Sequence, residues 1–487
     1  MDVETPRPDG SLNLLYLAAA LEAEGIQADI LDASVGATEY SLENTFYRRV
    51  RQENGLIRIG MSFNEIAEYV KENGYDFIGI NSNFTPQTRM AFETARAIKE
   101  INPNIKIFTG GVNARALKER FLKTGLFDVV CLTEGEIIFP RLVLGEDWKK
   151  IAGIAYIEDD IVVVNPVDST CFPKNLDELP MPAWEKLPLE KYEQIASPHG
   201  VMAVEKSKAR YAPLMTSRGC IFSCMYCHIS TEKQNIGTLR THSIQRVTAE
   251  IDKLISLGIK RIFFEDDTLL AMKSRVKELF TIVKDRNLSI MNVNGVNLIN
   301  FFNPNKENSE GKWEIDVDFI QLLKDAGFEQ IVFPMESGSQ RILQKYATNK
   351  VNLEKMDLPL LMKTMTQIGI QAPVNVMIGF PDETEKEIGE SIRIAQKLMD
   401  AGAPYVTFFI PIPFPGSKLY EMAIEGGYLD RDFNPDIMNW KRAVMKNTTV
   451  PPEKLEMIRD EANILVNTKK HLETRLRASA GYRLNLN

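Results

Sequence analysis

Three of the chain's five cysteines fall within eight residues, Cys220-Ile-Phe-Ser-Cys224-Met-Tyr-Cys227, with His228 directly after them. One short loop must deliver all three thiols to the same place. Thiolates spaced CxxxCxxC can each ligate one iron of a 4Fe–4S cubane and leave the fourth iron open, since no fourth cysteine stands nearby. Other uses of the segment remain open at this level. Cys224-Met-Tyr-Cys227-His228 also fits the C-x-x-C-H haem-attachment pattern, which requires export. A structural zinc site would need the three thiolates and His228 to aim at one ion, and a redox dithiol would leave Cys220 without a role. Five cysteines in 487 residues are too few for a disulfide framework, so Cys131 and Cys171 read as buried core thiols.

The loop is set in a series of alternating strand and helix patterns. From Ala212 onward the strand candidates are Pro213–Thr216, Arg261–Phe264, Ser289–Val296, Gln330–Met335, Val374–Ile378 and Tyr405–Ile410. Between them lie helical patterns such as Val247, Ile251, Leu254 and Ile255 on one face. Six βα units predict a partial barrel with its chemistry at the carboxyl ends of the strands, where the cysteines follow the first. The first 145 residues form an earlier series: a helix over Ser11–Gly25, short apolar runs at Ala28–Leu31, Phe77–Ile80, Ile105–Phe108 and Asp128–Leu132, and helices near Arg89–Glu100 and Arg115–Lys123. That alternation predicts a doubly wound, Rossmann-like parallel sheet with ligands at its strand ends.

The expected organisation is a Rossmann-like domain over 1–145 and a linker with a hairpin turning at Glu158–Asp160 over 146–210. A (β/α)6 partial barrel over 211–430 and a helical region over 431–487 follow. Asn303–Gly311 reads as a polar surface loop, and Asn292, Asn294 and Asn297 as alternating residues of a strand that lines the cavity. The net charge of −8 argues against a general nucleic-acid binder. No apolar run is long enough to span a bilayer, and Met1–Gly10 lacks a signal-peptide layout, so a cytoplasmic protein is expected.

The ordered strand ends carry a resemblance. Tyr226 precedes the third cysteine; Glu265-Asp266-Asp267 end the second barrel strand, Glu336-Ser337 the fourth and Gly379-Phe380-Pro381 the fifth; Pro413-Phe414-Pro415-Gly416 follows the sixth. With CxxxCxxC this set resembles the radical S-adenosylmethionine enzymes. The resemblance implies a 4Fe–4S cluster on Cys220, Cys224 and Cys227. It also implies S-adenosylmethionine contacts at Tyr226, at one or more of Glu265, Asp266 and Asp267, and at Glu336, Ser337 and Gly379. The doubly wound domain before the barrel resembles that of the family's cobalamin-binding branch, which implies that Ser82, Asn83, Thr85, Gly110, Gly111, Gly135 and Glu136 enclose the nucleotide tail of cobalamin. No Asp-x-His-x-x-Gly motif is present, so no lower-ligand histidine is expected. The helix at Ser11 stands almost at the start, so the usual first strand is expected to be missing.

A member of that branch is expected to transfer a methyl group to an unactivated carbon. One S-adenosylmethionine supplies the methyl through cobalamin, and a second is cleaved to the 5′-deoxyadenosyl radical that removes a substrate hydrogen. Radical cyclisation, rearrangement or oxidation without methyl transfer is the alternative within the branch, and a metal-binding scaffold the alternative outside catalysis. Methylthio transfer fits less well, because residues 1–145 hold one cysteine and the tail reads as helical. The expected partners are a small-molecule or lipid substrate and a low-potential donor such as flavodoxin or ferredoxin.

Overall fold

The computed structural model describes residues 10–52, 57–195, 209–231, 239–439 and 442–480. The expectation for Met1–Gly10, up to Asp9, lies outside the described residues. Helix α1 (Leu12–Ala23) opens the described chain. The N-terminal sheet follows as β1 (Phe77–Asn81), helix α2 (Thr88–Ile101), β2 (Lys106–Gly110) and β3 (Val129–Cys131), all three strands parallel. It continues through an antiparallel hairpin, β4 (Ile154–Glu158) and β5 (Ile161–Asn165), giving the order β1-β2-β3-β4-β5. The hairpin expected in the linker is therefore part of this sheet, which is mixed rather than all parallel. Burial on both faces explains the pairing: Ile154 and Tyr156 extend the core shared with Val129 and Cys131 of β3, and Ala155 is buried on the opposite face with Val130. Ala28–Leu31 is not a strand. It forms no ladder with β1, and Ala33 O just beyond it accepts the Met61 N–H at 2.8 Å.

The barrel comprises β6 (Tyr211–Leu214), helix α3 (Ile244–Ser256), β7 (Arg261–Phe264), helix α4 (Lys273–Val283), β8 (Ser289–Asn292), β9 (Phe328–Ile331), β10 (Phe333–Glu336), helix α5 (Gln340–Tyr346), β11 (Val374–Met377), helix α6 (Glu385–Asp400) and β12 (Val406–Phe409). The strands are parallel in two sheets, β9-β8-β7-β6 and β10-β11-β12. The expected fourth strand is interrupted at Val332, but the wall stays closed. Ile331 N–H donates to Gln371 O (2.9 Å) and Phe333 N–H to Pro373 O (2.8 Å) on the approach to β11. The last strand would present an open edge. Helix α7 (Pro452–Val466) covers it: Asn467 Oδ1 accepts from Val406 N (2.8 Å), Asn467 Nδ2 donates to Val406 O (2.7 Å), and Asn463 repeats the contact at Phe408.

Three local expectations change. Val247, Ile251 and Leu254 are buried in α3, but Ile255 faces solvent. Asn303–Gly311 falls in a hairpin of Phe302–Glu307 with Trp313–Ile315. Strand β8 ends at Asn292; Asn294 and Asn297 lie in the following loop and bond Glu265 O (2.8 Å) and the Thr268 hydroxyl (2.6 Å) rather than alternating along a strand.

The region read as linker is largely core. Leu176, Leu179, Trp184 and Tyr192 are buried with the barrel interior, and Trp184 Nε1 donates to Pro213 O at 2.9 Å. Leu12, Leu15 and Tyr16 of α1 join the same cluster. Helix α1 thus packs against the barrel, while the core between α2 and the parallel strands is a separate one.

Candidate active site

The cysteine loop is held from both sides at the carboxyl ends of the barrel strands. Ser217 and Arg218 pair antiparallel with Arg240 and Thr241, which gives the loop a short two-stranded stem. Gly219 turns out of the stem at φ +95°, a conformation that strains any side chain. Its N–H donates to Asp267 Oδ2 at 2.8 Å. Beyond the turn, Met225 N–H donates to Tyr346 O (2.9 Å), and Met225 O accepts from Leu419 N–H (2.8 Å). The loops after the fourth and sixth barrel positions therefore grip the cysteine segment between them.

The three thiols sit in graded burial, with Cys224 most enclosed. Cys224 Sγ lies 3.7 Å from the Thr348 hydroxyl, and Phe222 N–H points to Cys220 Sγ at 3.5 Å. Burial pushes the Cys227 thiol up to about 12, with Cys224 and Asp267 adding to it, so the ligand-free thiol keeps its proton. Among the described residues no three His, Cys, Asp or Glu side chains gather closely enough for a single metal ion. His228 packs on Phe414 (6.1 Å between rings) and is pushed down to about 4 by burial and by Arg115, which leaves it neutral. Cys131 and Cys171 lie in the core of the N-terminal sheet, as expected.

Tyr226 is partly buried, its ring 6.0 Å from that of Phe380, and its hydroxyl is shielded from solvent without a hydrogen bond. Burial, then the charge of Glu336, drives its pKa well above the usual value. Glu336 ends β10 at φ +66°, a costly geometry for a side chain with a Cβ. Its Oε1 meets Lys350 Nζ at 2.5 Å, both groups shielded from water. Lys350 was not singled out from the sequence; it follows two left-handed residues, Thr348 and Asn349, that fold it back under β10. These orphaned and strained groups beside a three-thiol loop fit a cluster with a polar ligand on its open iron.

Other expected S-adenosylmethionine contacts make hydrogen bonds within the protein. Asp266 is completely buried and accepts from Thr216 N (3.0 Å), Thr216 Oγ1 (2.7 Å) and Ser217 Oγ (2.6 Å), so it clamps the loop stem. Ser337 Oγ accepts from Ser339 N (3.1 Å) and lies 3.3 Å from Ser391 Oγ, closing a turn. Gly379 sits at φ +98° with its N–H donated to Glu383 Oε2 (2.6 Å), and a Cβ there would overlap Leu455 of α7. Glycine is required at 379 by the C-terminal helix. Glu265 is half-buried beside these groups.

In the N-terminal domain the same distinction holds. Ser82 Oγ accepts from Asn113 Nδ2 (2.9 Å), and Asn83 Oδ1 faces Val112 N (3.4 Å). Gly111, at φ +95°, packs against Ser82 and Asn83; a Cβ on Gly135 would meet Leu17 of α1 at 2.9 Å. These glycines make room for the protein's own chain. Glu136 is bound to Arg218 of the loop stem at 2.8 Å. Thr85 is buried at the start of a single helical turn, and Gly110 ends β2. Asn113 Oδ1 and Thr133 Oγ1 are buried without partners just beyond the carboxyl ends of β2 and β3, where a cofactor of an open sheet would supply their bonds.

The family model for the B12-binding domain matches residues 10–143, and that for the Radical SAM superfamily matches residues 214–395. Over 398 residues the chain is 31% identical to an uncharacterized methyltransferase of Pyrococcus horikoshii, covering 80% of this chain and 76% of that protein. The chain belongs to the cobalamin-binding radical S-adenosylmethionine enzymes. It is also 28% identical over 473 residues to the cytidylyl-2-hydroxyethylphosphonate methyltransferase of Streptomyces wedmorensis, covering 91% of this chain and 83% of the relative. The structure of the radical S-adenosylmethionine methyltransferase TsrM from Kitasatospora setae, with cobalamin and a 4Fe–4S cluster bound, superposes with a TM-score of 0.59 at 17% identity, over 87% of this chain and 76% of that one. The cobalamin-dependent radical enzyme OxsB gives 0.59 at 17% identity, over 99% of this chain and 60% of that one. At such identities these two establish a shared fold. Membership brings the 4Fe–4S cluster, S-adenosylmethionine and cobalamin as cofactors of this radical enzyme, a small-molecule substrate and a reductant. No helix among the described residues is long and apolar enough to cross a membrane.

Proposed function

We propose that this enzyme methylates an unactivated carbon of a small molecule, with Cys220, Cys224 and Cys227 holding the cluster. The observation that carries the reading is the placement of the three-thiol loop: its stem is bound directly to the turn of the N-terminal domain that follows β3, through Arg218 and Glu136. When bound, the cofactors supply an electron that cleaves a sulfonium and a methyl group for transfer. The chain's own residues then position and shield. Tyr226 and Phe380 wall the site with aromatic surface, Glu336 presents a carboxylate beside the tyrosine, and Lys350 fixes that carboxylate. Neutral His228, under Phe414, closes the side towards Gly416 without adding charge. Asp266 and Asp267 keep the stem and Gly219 in register.

In this reading the enzyme works in the cytoplasm, where a low-potential cluster survives and flavodoxin or ferredoxin delivers electrons. The substrate is a small molecule or a lipid. The test is anaerobic reconstitution followed by turnover with candidate substrates. About four irons per chain are expected, with 5′-deoxyadenosine and a methylated product at two S-adenosylmethionines consumed per product. Cys224→Ala should abolish both products. Formation of 5′-deoxyadenosine with a cyclised, rearranged or oxidised product and no added methyl would replace methyl transfer by that alternative, and a colourless zinc protein would remove the radical chemistry.

A further inference from the structure

Between the two cofactor-binding domains lies a compact set of charges that cofactor chemistry does not require. Arg218, two residues before Cys220, is 12% exposed and forks between Glu134 (2.9 Å) and Glu136 (2.8 Å) of the N-terminal domain. Arg240, across the stem from Arg218, bonds the same Glu134. The Arg218 guanidinium also lies over the Tyr16 ring of α1, 4.8 Å from its centre. Tyr16 in turn reaches His242 Nε2 (3.3 Å), whose Nδ1 meets Asp177 (3.1 Å) in the segment joining the domains. On the barrel side, Arg275 donates to Thr216 O (3.1 Å) and His242 O (2.8 Å), so both ends of the stem are fixed. Burial works against the charge of Arg218, but Glu136 and Glu134 outweigh it and keep the guanidinium protonated.

We propose that Arg218 is a positioning residue: its fork onto Glu134 and Glu136 sets the distance between the cofactor of the N-terminal domain and the radical-generating loop. The geometry favours this role over simple stabilisation for one reason. The two carboxylates belong to the Thr133–Glu136 turn at the carboxyl end of the N-terminal sheet, and the guanidinium belongs to the strand that leads into the cysteines. A shift of either end moves one cofactor relative to the other. A planar guanidinium reaches the two carboxylates through separate nitrogens in a fixed fork, which the compact ammonium of lysine does not reproduce. The inference rests on both cofactors serving one active site, as in the proposed function, but not on the identity of the product.

The test uses holoenzyme loaded with cluster and cobalamin. Low-temperature electron paramagnetic resonance of the reduced cluster beside cob(II)alamin reads their separation through spin–spin coupling. Arg218→Met, and separately the Glu134→Gln, Glu136→Gln double variant, should each weaken that coupling. Each should also lower product formed per 5′-deoxyadenosine on the order of tenfold or more, since displacements near 1 Å carry such penalties. Arg218→Lys should fall between. The double variant leaves the cysteine loop untouched, so it decides the matter if Arg218→Met fails to accumulate. Parental coupling and parental product ratio in the double variant would overturn the proposal, as would a loss confined to iron content in Arg218→Met. A parent enzyme that makes 5′-deoxyadenosine but adds no methyl would refute the proposed reaction and leave the spin-coupling result to judge Arg218 alone.

Discussion

Glu336 Oε1 and Lys350 Nζ stand 2.5 Å apart in a largely buried site, with the backbone of Glu336 held in the left-handed region. The pair joins the end of β10 to the turn after α5, the same turn that places the Thr348 hydroxyl against Cys224. Burial opposes the Lys350 charge, and Glu336 more than restores it. Removing the ammonium leaves a buried carboxylate alone. Lys350→Met should destabilise the protein by about 3–5 kcal/mol, as loss of one partner of a buried pair does. Pairing it with Glu336→Gln should recover part of that loss. Chemical denaturation of the single and double variants measures both.

Asp266 offers a clean separation between holding the loop and binding a ligand. Its carboxylate accepts several bonds from Thr216 and Ser217. Asp266→Asn replaces one of the two acceptor oxygens by a donor aimed at donors and should cost about 1–3 kcal/mol. Iron retained after desalting should drop with it. A carboxylate that served the methionyl ammonium would behave differently: KM for S-adenosylmethionine would rise while stability and iron content stayed at parental levels.

Gly379 touches the C-terminal helix through the face where a side chain would start. Gly379→Ala forces a Cβ into Leu455 and places alanine at positive φ, so a loss of about 2–4 kcal/mol is expected from overpacking and strain together. Adding Leu455→Ala should relieve the overlap but not the backbone strain. Denaturant midpoints of the three variants distinguish the two contributions.

Glu383 sets a pH dependence of stability. Burial pushes its carboxyl up to about 8 from an ordinary value of 4.5, against the pull of the Gly379 and Phe380 N–H groups. Between those values the unfolded chain releases the proton while the folded chain keeps it. Stability from this group is therefore whole below about 4.5, falls as pH rises towards 8, and is flat above. Glu383→Gln should remove that decline. Comparing denaturation of the variant and its parent at pH 5 and pH 8 tests the sign: the variant's relative stability should be higher at pH 8.

The sequence by itself determined the barrel, the cysteine loop and their order. Arg261–Phe264 is read off to the residue, because a short apolar run between helical patterns has few other places to go. The CxxxCxxC spacing limits three thiols to one loop whatever surrounds them. Tertiary structure alone decided which partners the polar residues meet within the chain. Asp266 and Glu136 look equally suited to a cofactor in sequence, yet each is claimed by a donor distant along the chain, Thr216 and Arg218 respectively. The same holds for the Ile151–Pro166 hairpin, whose edge pairing with β3 no local pattern encodes, and for Lys350, which gains its meaning only beneath Glu336. Local periodicity reports which face of an element is buried. A hydrogen bond or ion pair across tens or hundreds of residues depends on where folding brings the two ends, and that information is not local.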